Sequence, residues 1–238
     1  MNFEKMSSVL VTNDDGIDAE GIGVMARIAQ EFFDQVWVIA PNRENSQIGH
    51  KVTTYEPISV EKRANRIYSI GGTPADCTRV GMAHLMPQKP DWIWSGINHG
   101  GNLGKHDYFI SGTMAAVREG SFAGIPGMGA SHFLRRGVDL DWDAAGERLR
   151  QSFLAILAEE KPLEWGEMWC VNLPHVEPNS ADPEIRFCDA EPQPLEVKFE
   201  QTEEGLIYKG SYPDRPRSPS TDVDVCFGGN IAITKCYC

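Results

Sequence analysis

The stretch "SSVLVTNDDGIDAEGIGVMARIAQEFF", Ser7–Phe33, carries the reading of the fold. Its first six residues form an apolar run too short for a helix, which reads as a buried parallel strand. A polar turn follows at Asn13–Asp18. Ile22, Met25, Ile28 or Ala29, and Phe32 then recur at helical spacing. The next apolar run, "QVWVIA" (35–40), is a second strand closed by Pro41. Strand, acidic turn, helix and strand in so short a span open a βαβ unit. The adjacent carboxylates of Asp14 and Asp15 pose a physical question, because two like charges side by side repel unless the loop is fully solvated or a cation belongs there.

The alternation continues along the chain. Residues 51–70 alternate loosely around Pro57 and suggest an extended hairpin. "GGTPADCTRVGMAHLM" (71–86) opens a helix, with Thr73 as N-cap, Pro74 in the first turn and Asp76 closing a capping box. "DWIWSGIN" (91–98) is a buried strand running into the Gly-rich loop "GINHGGNLGKHD" (96–107). "SGTMAAVREGSFAG" (111–124) is a helix beginning near Ser111, and "IPGMGAS" (125–131) a short strand. "WDAAGERLRQSFLAILAEE" (142–160) is an amphipathic helix and "EMWCVNLP" (167–174) another strand. This order implies an α/β protein with a mostly parallel sheet and helices on both faces. After Pro174 the chain turns rich in Pro, Glu and Asp, with short extended runs such as "LIYKGSY" (206–212) and a last strand in "GGNIAITK" (228–235). The expectation is one domain over residues 1–238, with a core at 1–175 and a β-rich extension at 176–238.

Composition excludes several classes. The chain has 238 residues, 41% hydrophobic and 24% charged, as an ordinary globular protein does. A formal net charge of -12 opposes binding to a nucleic-acid polymer, which needs a basic surface. It leaves small anionic substrates open, because a metal inverts the field of an acidic site. No stretch is long and apolar enough to span a membrane, and no leader-like segment opens the sequence, so a cytoplasmic location is expected. The six scattered cysteines then read as reduced thiols. Cys236 and Cys238 form a C-x-C, half of the four-ligand set of a structural zinc site.

In an open parallel sheet, ligands collect outside the carboxyl ends of the strands. Three polar loops leave strands there: "TNDDG", "APNRENSQIG" and "SGINHGGNLG". They offer Asp14, Asp15, Asn13, Asn42, Ser46, Asn98 and Asn102, all oxygen donors and suited to a hard divalent cation. Gly16 supplies the turn that would let neighbouring aspartates converge. Ser111-Gly112-Thr113 starts a helix whose free N–H groups could bind a phosphate, or it is a plain N-cap. His50 lies in the second loop, where it could assist acid–base chemistry. His84 reads as structural, and spacing assigns no role to His99 or His106.

Taken in order, "NDDGIDAEGI", "APNRENSQIGHKVT", "GGTPADC", "SGINHGGNLG", "SGTMAAVREG", "GIP", "VNLP" and "TDV…GGNIAIT" resemble the motifs of the SurE family. These are metal-dependent phosphatases acting on nucleoside monophosphates. The resemblance implies a Rossmann-like core with a C-terminal β-hairpin extension used in oligomer contacts. It implies 5′- or 3′-nucleotidase activity with one divalent cation, Mg²⁺ or Mn²⁺, held by Asp14, Asp15, Ser46 and Asn98. Asp14, Asp15 and Asn98 would be catalytic. Asn13, Gly49, His50, Asn102, Ser111, Gly112 and Thr113 would bind phosphate or substrate. With no evident covalent nucleophile, direct attack by metal-activated water is the expected route. A homodimer is expected, with a tetramer as the alternative.

The sequence also departs from the family. Asn42 replaces a common Asp, Gly49 a common Ser and Lys51 a small hydroxyl residue. Ile110 replaces a polar or aromatic residue, so Lys51 and Ile110 bear on the substrate mouth.

Other readings fit less well. Haloacid-dehalogenase chemistry needs D-x-D-G-T, but Asn13 stands two residues before Asp15 and Ile17 follows Gly16. An EF-hand using Gly16 would need an acid at Val11. The G-x-G-x-x-A at Gly21, Gly23 and Ala26 does not follow its strand directly, and there is no P-loop motif. A non-catalytic nucleotide or metal sensor would share the same pocket, and release of inorganic phosphate separates it from an enzyme.

Overall fold

A computed structural model of the chain describes residues 4–177 and 180–238. Residues 1–3 of the amino-terminal stretch, and 178–179 of the expected extension, lie outside it. Eleven strands are described: β1 Met6–Thr12, β2 Phe33–Pro41, β3 Val60–Ala64, β4 Ile67–Ile70, β5 Trp92–His99, β6 Gly127–His132, β7 Glu167–Leu173, β8 Ile185–Phe187, β9 Phe199–Thr202, β10 Gly205–Tyr208 and β11 Ile231–Tyr237. The α-helices are α1 Glu20–Phe32, α2 Pro74–Val80, α3 Gly104–Ile110, α4 Gly112–Phe122, α5 Trp142–Leu157 and α6 Asp222–Phe227.

Nine strands form one sheet in the order β3-β4-β2-β1-β5-β6-β7-β11-β8, and β9 and β10 pair by themselves as an antiparallel hairpin. The run β4-β2-β1-β5-β6-β7 is parallel throughout. β1 sits between β2 and β5, so the chain leaves it in one direction along the sheet and later returns on its other side. That reversal is a topological switch point, where a crevice opens at the strand ends.

Side chains alternate across β1. Val9 and Val11 face a core built with α1 and α5, while Leu10 packs with Ile39, Cys77 and Ile93 under α2 on the other face. Helices therefore cover both faces. Phe153 of α5 is the hub of the first core. Its ring lies 4.5 Å from Trp94, 4.9 Å from Phe32 and 5.1 Å from Trp92, all near edge-on. Such tilted contacts add to the burial term.

The expected capping box is present at α2: the Thr73 hydroxyl accepts from the Asp76 N–H, and the Asp76 carboxylate accepts from the Thr73 N–H. Asp76 also accepts from the Thr53 N–H and hydroxyl. The "TPAD" stretch thus ties the second loop region to α2.

Two short helices, α3 and α6, are not evident in the sequence, because seven and six residues give too little periodicity to read. The two ends of the expected extension also behave differently from its middle. β11 runs antiparallel to β7 and parallel to β8 inside the main sheet, and the detached part is the β9–β10 hairpin. No helix among the described residues is long and apolar enough to cross a membrane.

Phe153→Ala leaves a void among the rings of Phe32, Phe33, Trp92 and Trp94, and should cost about 3–5 kcal/mol. Urea denaturation of the variant against the parent measures it. A loss below about 1 kcal/mol would mean that these rings collapse to fill the space.

Candidate functional site

The turn after β1 is set by Gly16, whose φ of +105° belongs to glycine. Asn13 clamps it: the side-chain NH2 donates to the Gly16 carbonyl at 2.9 Å, and its Oδ1 accepts from the Gly16 N–H. Asn13 is thereby spent on the turn and does not line the cavity. The loop after β2 docks on the same turn, through Asn45 N–H to the Asp14 carbonyl at 2.7 Å and Ile17 N–H to the Pro41 carbonyl at 2.8 Å.

The two aspartates border adjoining hollows that meet at His99. Asp14 is buried and lines a cavity of about 810 Å³ together with Ser46, Gly49, Asn98, Asn102, Ser111 and Gly112. Asp15 lines the adjoining hollow of about 490 Å³ with Glu20, Glu44, His99 and Trp142. His99 borders both, and its N–H donates to Asp15 at 3.1 Å. A separate cavity of about 640 Å³ lies at the opposite ends of the strands, between Trp92, Ile156, Trp165 and Trp169, away from these loops.

Asp14 is held from α4. The Thr113 hydroxyl donates to its Oδ1 at 2.7 Å. At Gly112 a Cβ would stand 3.0 Å from the Asp14 carboxylate, so the helix end comes this close only without a side chain. Burial pushes the Asp14 carboxyl up to about 6, with the Thr113 bond opposing and the Asp15 charge assisting. Burial also raises Asp15, against the bond from His99. Among the described residues neither aspartate has a Lys, Arg or His ion-pair partner. Two crowded carboxylates without a counter-charge suit a cation.

The neutral donors agree with that. Asn98 donates its NH2 to the Gly100 carbonyl at 2.7 Å, which leaves its Oδ1 as an acceptor, and the Ser46 hydroxyl turns to Glu44 at 2.6 Å. The set is all oxygen, the preference of Mg²⁺ or Mn²⁺. Among the described residues no group of three or more His, Cys, Asp or Glu could hold a metal. A cation here depends on the amide and hydroxyl oxygens to complete its shell.

Next to the carboxylate is the start of α4. The Ser111 hydroxyl caps it by accepting from Met114 N–H, and the Ser111 N–H closes α3 on the Asp107 carbonyl. Ser111 thus spends its N–H and one lone pair as a cap, while its O–H stays free to donate at the cavity wall. The N–H groups of Gly112 and Thr113, in the first turn, have no intrahelical partner and are the donors available to an anion. Asn102 donates to Ser131 at 2.7 Å and more weakly to Thr113.

The remaining residues separate. Gly49, at φ +64°, lines the cavity through its backbone. His50 does not: its ring meets Glu119 at 2.8 Å and Arg118 at 3.3 Å. Ile110 lines the cavity, whereas Lys51 lines a separate polar hollow with Asn42 and Arg43. His84 is exposed on the π-turn after α2, and His106 is exposed near Asp107.

Sequence reasoning missed Asn172. Its side chain accepts from Asn102 N–H at 2.8 Å and donates to the Asn102 carbonyl at 3.1 Å, fixing that loop by both backbone groups. The signal was there, an amide inside the apolar strand "MWCVNLP". It also missed Asp107, Tyr208 and Tyr212, which line the same cavity.

Fold and site together define a Rossmann-like α/β protein with an acidic, anion-ready crevice at its switch point. The chain belongs to the SurE family. The family model Survival protein SurE matches residues 9–194. A relative in Synechocystis sp., named a putative 5′-nucleotidase, is 42% identical over 99% of both chains. Another in Paramagnetospirillum magneticum, named 5′-nucleotidase SurE, is 35% identical over 95% of this chain and 88% of its own. The crystal structure of Sure protein from Aquifex aeolicus superposes with a TM-score of 0.82 at 27% identity, covering 97% of this chain and 93% of that one.

Because the folded Asp14 carboxyl titrates near 6 rather than 3.8, the native state holds its proton more tightly. In EDTA this group should make stability fall as pH rises from about 4 to 6, by about 3 kcal/mol. Asp14→Asn should flatten that part of the curve. Urea melts of both proteins at pH 4 and 7 read the difference, and parallel curves would refute the assignment.

Proposed function

We propose that this chain is a divalent-metal-dependent phosphomonoesterase that hydrolyses nucleoside 5′-monophosphates, and 3′-monophosphates as well, to nucleoside and phosphate. The names of its relatives support the nucleotidase activity. The observation that carries the chemical reading is Asp14, buried without a cationic partner and packed against the first turn of an eleven-residue helix. An acidic pair asks for a cation, and a helix N-terminus asks for an anion. A metal–phosphate pair satisfies both.

Asp14, Asp15, Ser46 and Asn98 would hold the ion. When bound, the cation neutralises charge on phosphoryl oxygens and favours ionisation of water at neutral pH. The protein supplies the rest. Gly112 and Thr113 present backbone N–H groups toward the phosphate, fixed before substrate arrives, so that charge developing on the transferred group meets donors already in place. Thr113 also keeps Asp14 in one orientation by donating to it. Asn102 is held by Asn172 and Ser131, and positions its side chain at the cavity wall.

Phosphate release from a panel of nucleoside 5′- and 3′-monophosphates, with Mg²⁺, Mn²⁺ or EDTA, tests the proposal. Turnover should require the metal, and Asp14→Ala should lower kcat/KM by on the order of 10³. Thr113→Val, which removes only the supporting hydroxyl, should cost roughly tenfold, the effect of one hydrogen bond to a charged group. A folded protein that binds nucleotide with metal yet releases no phosphate would be a sensor instead.

A further inference from the structure

The cavity holding Asp14 is far larger than a phosphate group needs, and its ends differ in chemistry. Asp14, Ser46, Asn98 and Asn102 make one part polar, while Ile110, Tyr208 and Tyr212 bring apolar and aromatic surface to the same space. The two tyrosines are not equivalent. Tyr212 is committed: the Arg215 guanidinium lies 4.6 Å over its ring, and its hydroxyl donates to the Gly101 carbonyl at 3.0 Å. Tyr208, on β10, donates its hydroxyl to the Glu196 carbonyl at a long 3.4 Å, but the residue is 47% exposed, with Phe199 edge-on at 5.6 Å as its aromatic neighbour among the described residues. It offers a ring with open surface at the cavity wall.

That ring is also placed with some care. Among the described residues the β9–β10 hairpin has no strand partner in the main sheet, so the segment leading back from it holds it. Arg215, with its side chain fully buried, pairs with Asp107 of α3 at 2.6 Å, and Asp107 lines the same cavity. One buried ion pair and the Tyr212 contacts thus fasten the root of the hairpin to the site. Nearer the ring, a Cβ on Gly210 would overlap Tyr208, so the glycine leaves the space the ring occupies.

We infer that Tyr208 is a specificity-determining residue of this site, receiving the nucleobase of the substrate on its ring, with Ile110 completing the apolar end. The inference rests on the nucleotidase reading and deepens it. Stacking on an aromatic face tolerates every base, because each has a π-face. Tyr208 should therefore separate nucleotides from phosphomonoesters without a base more than it separates one base from another.

The test compares kcat/KM for nucleoside 5′-monophosphates with that for glycerol 2-phosphate, in Mn²⁺, using the full chain. Tyr208→Ala should lower the nucleotide-to-glycerol-phosphate ratio about tenfold, within the range for loss of one base–aromatic stack. The change should fall on KM, and the inhibition constant of the product nucleoside should rise by a similar factor. Tyr208→Phe should keep the parent ratio. Gly210→Ala, which displaces the ring without removing it, should reproduce the loss. An unchanged ratio in Tyr208→Ala, or a Phe variant as impaired as the Ala variant, overturns the inference while leaving the nucleotidase reading intact. A parent protein that hydrolyses glycerol phosphate and nucleotides equally well also overturns it. A folded parent that releases phosphate from neither brings down the nucleotidase reading, and the inference with it.

Discussion

A carboxylate placed at the end of a central strand, with a hydroxyl beside it and no cation, is the constraint around which the site is arranged. Taking the Asp14 charge out of water is unfavourable, and the Thr113 hydroxyl only partly compensates. Holding it there takes several local choices. Asn13 spends both ends of its amide on the turn, Gly16 adopts a backbone that other residues resist, and Gly112 gives up its side chain. Asn13 and Gly16 stabilise the turn itself, and the cost falls on the buried Asp14 charge. Together they leave Asp14 beside a helix N-terminus with no ion-pair partner among the described residues, the arrangement that supports the proposed cation. Strain or desolvation of this kind is kept at sites where binding removes it.

The second half of the chain serves the same edge by buried acids of a different sort. Glu191 is fully buried, yet its hydrogen bonds from Ser218 and Gln193 N–H, Ser218 hydroxyl and Thr221 hydroxyl outweigh burial and hold its carboxyl below the usual range. Asp222 accepts from Gly104, Glu191 and Val223 N–H, although burial still pushes it up. Through Asp222 the start of α6 grips the first residue of α3, and through Asp107 the same helix receives Arg215. A segment that lacks continuous secondary structure is thereby pinned to the helix that borders the cavity. These acids differ from Asp14 in having donors enough to satisfy them, so they read as structural.

Much of this was legible in the sequence because period and apolar run length report directly on burial. β1, α1, β2, β5, α4, α5 and β7 each carry a clear pattern, and the parallel order follows from their alternation. The switch point could be anticipated as well, and with it the gathering of Asp14, Ser46 and Asn98. What did not show was direction. Adjacent aspartates at a turn border two adjoining hollows here, and nothing in "NDDG" tells which one each lines. His50 sat in the right loop but points to Glu119, a partner 69 residues away. Asn172 was visible as an oddity in an apolar strand, though its role needs the sheet order that brings β7 near the Gly-rich loop. α3 and α6 were too short to have a period, and are held by long-range bonds such as Asp222 to Gly104.

The sheet order explains why residues so far apart meet at this crevice. With β1 central and flanked by β2 and β5, the loops leaving all three open at one edge, so Asp14, Ser46 and Asn98, each at or soon after the end of its strand, can share a wall. α4 is then the element that decides polarity. It follows β5 and packs close enough for Thr113 to reach Asp14, and that approach is possible because residue 112 is glycine. The strand ends bring the negative groups, and the helix end brings its partial positive charge beside Asp14. A phosphomonoester with a divalent cation presents the complementary pattern, charge for charge. Neither half of the arrangement would be well satisfied by a neutral ligand, and this asymmetry, more than the volume of the cavity, limits what can be bound there.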